Sequence, residues 1–191
     1  MEEAKPAEKR KHLIVCDLEQ EIRHGIRVSQ LARGLAEEAG LSQKVCYHVA
    51  QAGLLHDIGK LCLSNQMQGI DDPLIVEEMK YVRMHSRFSY EILKKRGYDP
   101  WLCQTVLYHH ENYDGTGYPG NLEGEVIPVE SRILRICDVY AALTEKRSYR
   151  DAFSHETAME LMIDEVRYFD MHLFLLFQRM LHKKEETGKE Q

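Results

Sequence analysis

Apolar residues recur along this chain at intervals of three and four, with almost no strand-like alternation, the spacing of helices that each bury one face. From about Asp17 to Ala39, Leu18, Ile22, Ile26, Leu31 and Leu35 form one stripe, and Gly40 supplies a stop. Ser42 caps a second helix that carries Val45, Val49, Ala52 and Leu55. Asp72-Pro73 is a cap and first-turn pair for a third helix ending near Gly97, and Asp99-Pro100 repeats that signal for a fourth running into Tyr108-His109-His110. Between Asn112 and Ile127, four glycines and a proline predict an irregular loop. Pro128 opens a helix through Leu143, Ser154 caps another, and Met171 to Leu181 forms the last. The expected fold is all-α: one domain over residues 13–182, with charged, disordered tails at 1–12 and 183–191.

Composition narrows this picture. At 191 residues and 43% hydrophobic content the chain can build one core but not two comfortable domains. No apolar run approaches the ~20 residues of a membrane span. The formal charge of −6 argues against sequence-blind binding of polymeric nucleic acid, while a local basic patch could still hold a small anion. An amino terminus reading MEEAKPAEKRKH has no apolar signal core. Cys16, Cys46, Cys62, Cys103 and Cys137 are odd in number and lack a CxxC pair, so a reducing cytoplasm is expected, with neither disulfides nor a thiolate zinc site.

Histidines fall where apolar residues should. His56 continues the stripe of Val45, Val49 and Ala52; His85 shares a face with Ile75 and Val82; His109 and His110 follow Leu102 and Val106. Any one of them, taken singly, reads as a core imidazole bonded to a backbone carbonyl, because burying the ring unpartnered is costly. Together they read differently, since Asp57 and Lys60 stand beside His56 in HDIGK and Asp138 lies on an otherwise apolar helix. These donors exceed what one tetrahedral zinc uses. Mixed nitrogen and oxygen ligation without thiolate suits two octahedral divalent ions, iron or manganese, with Asp57 bridging.

With His24, His56-Asp57-Ile58-Gly59-Lys60, His85, HHENYDGTGYP from His109 to Pro119 and DVYAALTEKRSYR from Asp138 to Arg150, the chain resembles the HD-GYP phosphodiesterases of the HD-domain metal-dependent phosphohydrolases. The resemblance implies a helical HD-domain bundle with a metal centre in its core that hydrolyses cyclic di-GMP to pGpG and on to GMP. By the same resemblance, His24, His56, Asp57, His85, His109, His110 and Asp138 are metal ligands, and Lys60 with Asp57 is catalytic. Tyr118, Arg147 and Arg150 then contact the dinucleotide. Glu111 is expected to hold an imidazole nitrogen. Implied partners are GGDEF-domain (diguanylate cyclase) proteins at the GYP loop and a second copy of the chain.

Two positions depart from the family pattern. The glutamate of three-metal members is Gln20 here, with Glu21 about 100° away around the helix, so two metals are expected. The second aspartate of DxxDALT is Ala141. If that carboxylate serves Lys60, its loss lowers activity, and Ala141→Asp is expected to raise turnover. Three other readings stay open: hydrolysis of another cyclic dinucleotide or nucleotide, a weakly active or inactive binding module, and a purely structural metal.

Overall fold

A computed structural model describes residues 18–61, 75–147 and 150–188. Seven α-helices cross them: α1 (Leu18–Glu38), α2 (Gln43–Leu55), α3 (Ile75–Lys95), α4 (Pro100–Leu107), α5 (Val129–Thr144), α6 (His155–Asp164) and α7 (Met171–Gly188). No strand is present among the described residues, which agrees with the all-α expectation. The local signals act where the sequence puts them: Ser42 accepts from the Val45 N–H, Asp99 from that of Trp101 and Ser154 from that of Thr157. Gly40 and Gly97 end their helices with positive φ. The Asp72-Pro73 start, the amino-terminal tail, Cys16 and Cys62 lie outside the described residues.

The core is built on α5. Its Ile133, Leu134, Ile136, Cys137 and Ala141 are fully buried, and it packs against α1, α2, α6 and α7. Phe174 and Phe177 of α7 fill the space behind it, Phe177 edge-on to Tyr140. Cys46, Cys103 and Cys137 are buried, and none is in a disulfide.

Three expectations need correction. Leu18, Ile22 and Ile26 are exposed by 45–55%. The buried face of α1 instead runs through His24, Gly25, Val28, Leu31, Ala32, Leu35 and Ala36. The helix is rotated because close approach to α2 outweighs the burial of three large side chains: a Cβ on Gly25 would stand 2.8 Å from the Leu54 carbonyl oxygen. Val82, expected to share the buried face of His85, is 36% exposed, whereas His85 is buried. Lastly, the carboxy-terminal tail expected from 183 continues as helix to Gly188, where Lys183 and Arg179 are tied to Glu38 of α1 at 2.8 and 2.6 Å.

After α2 the chain turns tightly, with the Lys60 N–H bonded to the Asp57 carbonyl at 2.9 Å. Gly59 rests directly on α3: its N–H donates to Ser89 Oγ, and a Cβ there would fall 2.2 Å from the His85 carbonyl oxygen. Gly59→Ala is therefore expected to lower the melting temperature by several degrees, because overpacking costs about 1–3 kcal/mol. A thermal melt unchanged from wild type would show that this contact can relax freely.

Candidate metal centre

Five segments deliver side chains to one place. His24 comes from the middle of α1, His56, Asp57 and Lys60 from the turn after α2, and His85 from α3. His109 and His110 follow α4, and Asp138 comes from α5. His24, His56, His85 and His109 are at most 1% exposed. Their donor atoms form two groups, His24 with His56, Asp57 and Asp138, and His85 with His109 and His110; within each group all ligand atoms lie within 4.8 Å of one another. Asp57 joins the groups. Its Oδ2 is 3.1 Å from His56 Nε2, and its Oδ1 is 3.1 Å from His85 Nε2.

Orientation follows from local backbone. His56 and His109 bond Nδ1 to the carbonyl three residues earlier, Gly53 at 2.7 Å and Val106 at 2.6 Å, and His85 does the same with Val82. A carbonyl can only accept, so each Nδ1 carries a proton, and in the neutral ring each Nε2 presents a lone pair. The core-histidine reading and the ligand reading are thus both correct, one for each nitrogen. Nε2 of His85 then faces Nε2 of His109 at 3.3 Å and Nε2 of His110 at 3.0 Å. In addition, His56 Nε2 and Asp57 Oδ1 are buried without a hydrogen bond of good geometry. Converging lone pairs and orphaned buried acceptors fit a cation as their common partner, and the set of imidazoles and carboxylates without thiolate fits first-row divalent metals.

Electrostatics separates the two groups. Burial opposes charge on His56, yet Asp57 and Asp138 outweigh it and push its pKa up to about 10. Burial likewise disfavours the carboxylate of Asp57, but His56 and Lys60 hold it well below the usual range; for Asp138 the adjacent His24 and His56 rings do the same. This group draws positive charge. In the other, burial and the neighbouring imidazoles hold His109 down at about 3 and His110 well below its ordinary value, so these rings are neutral donors.

An open cavity of about 380 Å³ leads in from solvent, lined by His24, Asp57 and Asp138 of one group, by His110 of the other, and by Lys60, Ala142, Leu143, Arg147 and Arg150. Lys60 donates to Asp57 at 2.5 Å and to Glu21 at 3.3 Å. Burial works against its charge, but these two carboxylates raise its pKa above the ordinary lysine value. Arg150 reaches the cavity wall while donating to the Ala142 and Leu143 carbonyls at the end of α5. Tyr118 stacks on His110, ring centroids 4.8 Å apart, with the Arg83 guanidinium 5.6 Å from its centroid.

All eleven predicted site residues border this region or touch a residue that does. Glu111 behaves differently: its carboxylate accepts from the Gly120 and Leu122 N–H groups at 2.5 and 3.0 Å. It clamps the glycine loop and takes no part in holding an imidazole, because the loop's unpaired backbone donors are nearer. Two further carboxylates reach the site. Glu21 reaches Lys60, and Glu145 Oε2 lies 2.9 Å from His24 Nδ1. Their signal is periodic: Glu21, His24, Val28 and Leu31 share one face, as do Asp138 and Glu145 seven residues on.

An all-helical domain that gathers imidazoles and carboxylates from several helices around an open cleft is a His/Asp metal-binding domain. The chain belongs to the HD-domain family, whose profile, described as HD domain, matches residues 10–173, and the likeness to the HD-GYP branch holds at that level. It is 36% identical over 149 residues to the cyclic di-GMP phosphodiesterase response regulator RpfG of Xanthomonas campestris pv. campestris (strain 8004), covering 75% of this chain and 39% of that protein. Identity is also 36%, over 143 residues, to the 3'3'-cGAMP-specific phosphodiesterase 1 of Vibrio cholerae serotype O1, covering 75% of this chain and 33% of the relative. Among solved structures, an HDG"Y"P protein from Bdellovibrio bacteriovorus superposes with a TM-score of 0.67 at 21% identity, over 85% of this chain and 52% of that one. The chain thus spans between a third and two-fifths of the length of these two curated relatives.

Proposed function

We propose that this domain is a metal-dependent phosphodiesterase that opens cyclic di-GMP to pGpG and carries it on to GMP. The observation that carries this reading is the pair of ligand groups joined by Asp57 beside Lys60 at the base of an open cavity. His24, His56, Asp57 and Asp138 would hold one divalent ion and His85, His109 and His110 the other, with Asp57 shared; iron or manganese suits this donor set. When bound, two such ions supply Lewis-acid charge against the phosphodiester and an activated nucleophile at neutral pH. That only two carboxylates stand among these ligands favours an anionic substrate, because net positive charge is left over for it.

The chain's own groups do the rest. Lys60, kept protonated by Asp57 and Glu21, directs its ammonium at a phosphate oxygen or at the departing ribose oxygen. Arg147 and Arg150 offer planar forks for phosphate oxygens, and Tyr118 supplies an aromatic wall for a base. Water adds across one P–O bond, leaving a phosphomonoester and a free ribose hydroxyl. Relatives named for cyclic di-GMP and for 3'3'-cGAMP support a cyclic dinucleotide as the substrate class. Cys46, Cys103 and Cys137, buried and in no disulfide, fit a cytoplasmic setting; among the described residues no helix is long and apolar enough to cross a membrane. The reading includes a GGDEF domain docked on the GYP loop, whose Thr116, Pro119 and Asn121 are exposed, and a second copy of the chain as partners.

The test is anaerobic purification with iron or manganese, then incubation with cyclic di-GMP and 3'3'-cGAMP and chromatography of products. Linear dinucleotide from cyclic di-GMP, at a rate above that from 3'3'-cGAMP, is the expected result. Metal-loaded protein that leaves both substrates intact would overturn the proposal.

A further inference from the structure

His24 is the exception among the buried imidazoles. It sits in the middle of α1, where the preceding carbonyls are occupied by the helix itself, so its Nδ1 must find a partner across the fold. Two candidates reach it: Glu145 Oε2 at 2.9 Å and Arg147 Nη2 at 3.3 Å. Their demands are opposite. The carboxylate accepts, which requires a proton on Nδ1 and leaves Nε2 a free lone pair. A guanidinium can only donate, which requires a bare Nδ1 and moves the proton to Nε2. There it would be donated to Asp138 Oδ1, 2.9 Å away, and the nitrogen would be lost to any cation.

We propose that Glu145 is a positioning residue that holds His24 as the Nδ1–H tautomer against the competing donor Arg147, so that Nε2 serves the group with His56, Asp57 and Asp138. This rests on the metal reading given above. Glu145 is suited to the task. Its side chain is 17% exposed, and it lies 3.8 Å from Arg147 and 3.9 Å from Arg27, so it pairs with the cation whose hydrogen bond it displaces. It also stands at the end of the helix that carries Asp138, so one element sets both a ligand and the tautomer of that ligand's neighbour. Partners of this kind orient ligating imidazoles, and their loss weakens metal binding by roughly 10–100-fold.

The test is calorimetric titration of the full chain with Mn²⁺ alone, without nucleotide, with circular dichroism to verify folding. Wild type is expected to bind two equivalents. Glu145→Ala should weaken one site about 10–100-fold and leave the other unchanged. Glu145→Gln, whose amide oxygen still accepts from Nδ1–H, should lose less. The double variant Glu145→Ala/Arg147→Ala should recover part of the loss, since the competing donor is gone. Arg147→Ala alone should bind Mn²⁺ at least as tightly as wild type, whereas a merely structural cluster would weaken; this variant decides the matter if Glu145→Ala does not fold. Two tight sites in a folded Glu145→Ala variant, or a weakened site in Arg147→Ala, would overturn the inference alone. A wild-type protein that takes up no Mn²⁺ would overturn the metal reading with it.

Discussion

Asp57→Ala is expected to lower phosphodiester turnover by about 10³-fold or more, the loss of several kcal/mol of charge stabilisation at the transition state. Metal content should fall with it. Asp57 presents one oxygen to His56 and the other to His85, so its removal leaves His24, His56 and Asp138 on one side and His85, His109 and His110 on the other, with nothing between them. Both equivalents should therefore weaken, as measured by metal analysis after gel filtration. His110→Ala supplies the contrast: its donor belongs to one group only, and it should cost one equivalent. The bridging role of Asp57 would be refuted if Asp57→Ala retained two equivalents and turned over within tenfold of wild type.

Lys60→Ala separates chemistry from metal binding. Its ammonium is held by Asp57 and Glu21 at the cavity wall, where a fixed positive group aimed at developing negative charge contributes about 10²–10³-fold to rate. The expected result is a fall of that size in kcat with two metal equivalents retained. Glu21→Gln should follow in the same direction by a smaller step. These two carboxylates also change the expectation for position 141. Ala141 is fully buried in the apolar core, and Ala142 is the residue that lines the cavity. Lys60 is not left without a carboxylate, and Ala141→Asp would bury a further charge. Turnover that is unchanged or lower is now expected for that variant; a clear rise would show that Lys60 needs an acid from α5.

Much of the site was legible because ligand chemistry is carried by residue type. Imidazoles and an aspartate at apolar positions of His56, His85, His109 and Asp138 are costly unless something pairs with them, and that anomaly survives in a single sequence. What was misread depended on rotation and neighbours. Following only large apolar residues put Leu18, Ile22 and Ile26 on the inner face of α1. The face that packs is set by Gly25 and His24, roughly one residue's rotation away. Glu21 is set aside only as a substitute for the family's glutamate at Gln20, and its pairing with Lys60 joins two elements 39 positions apart; Glu111 is assigned to an imidazole because backbone donors of the loop leave no mark in side-chain identity.

By itself, then, the sequence determined the all-helical fold, the caps that begin α2, α4 and α6, and the donor set, since each depends on local periodicity or on the chemistry of a residue in place. Tertiary structure alone decided which oxygen of Asp57 faces which histidine, which carboxylates neutralise Lys60, and that His24 takes its proton partner from Glu145. Those pairings join residues separated by up to 121 positions, and distances between such groups are fixed by how helices pack, which no spacing along the chain encodes.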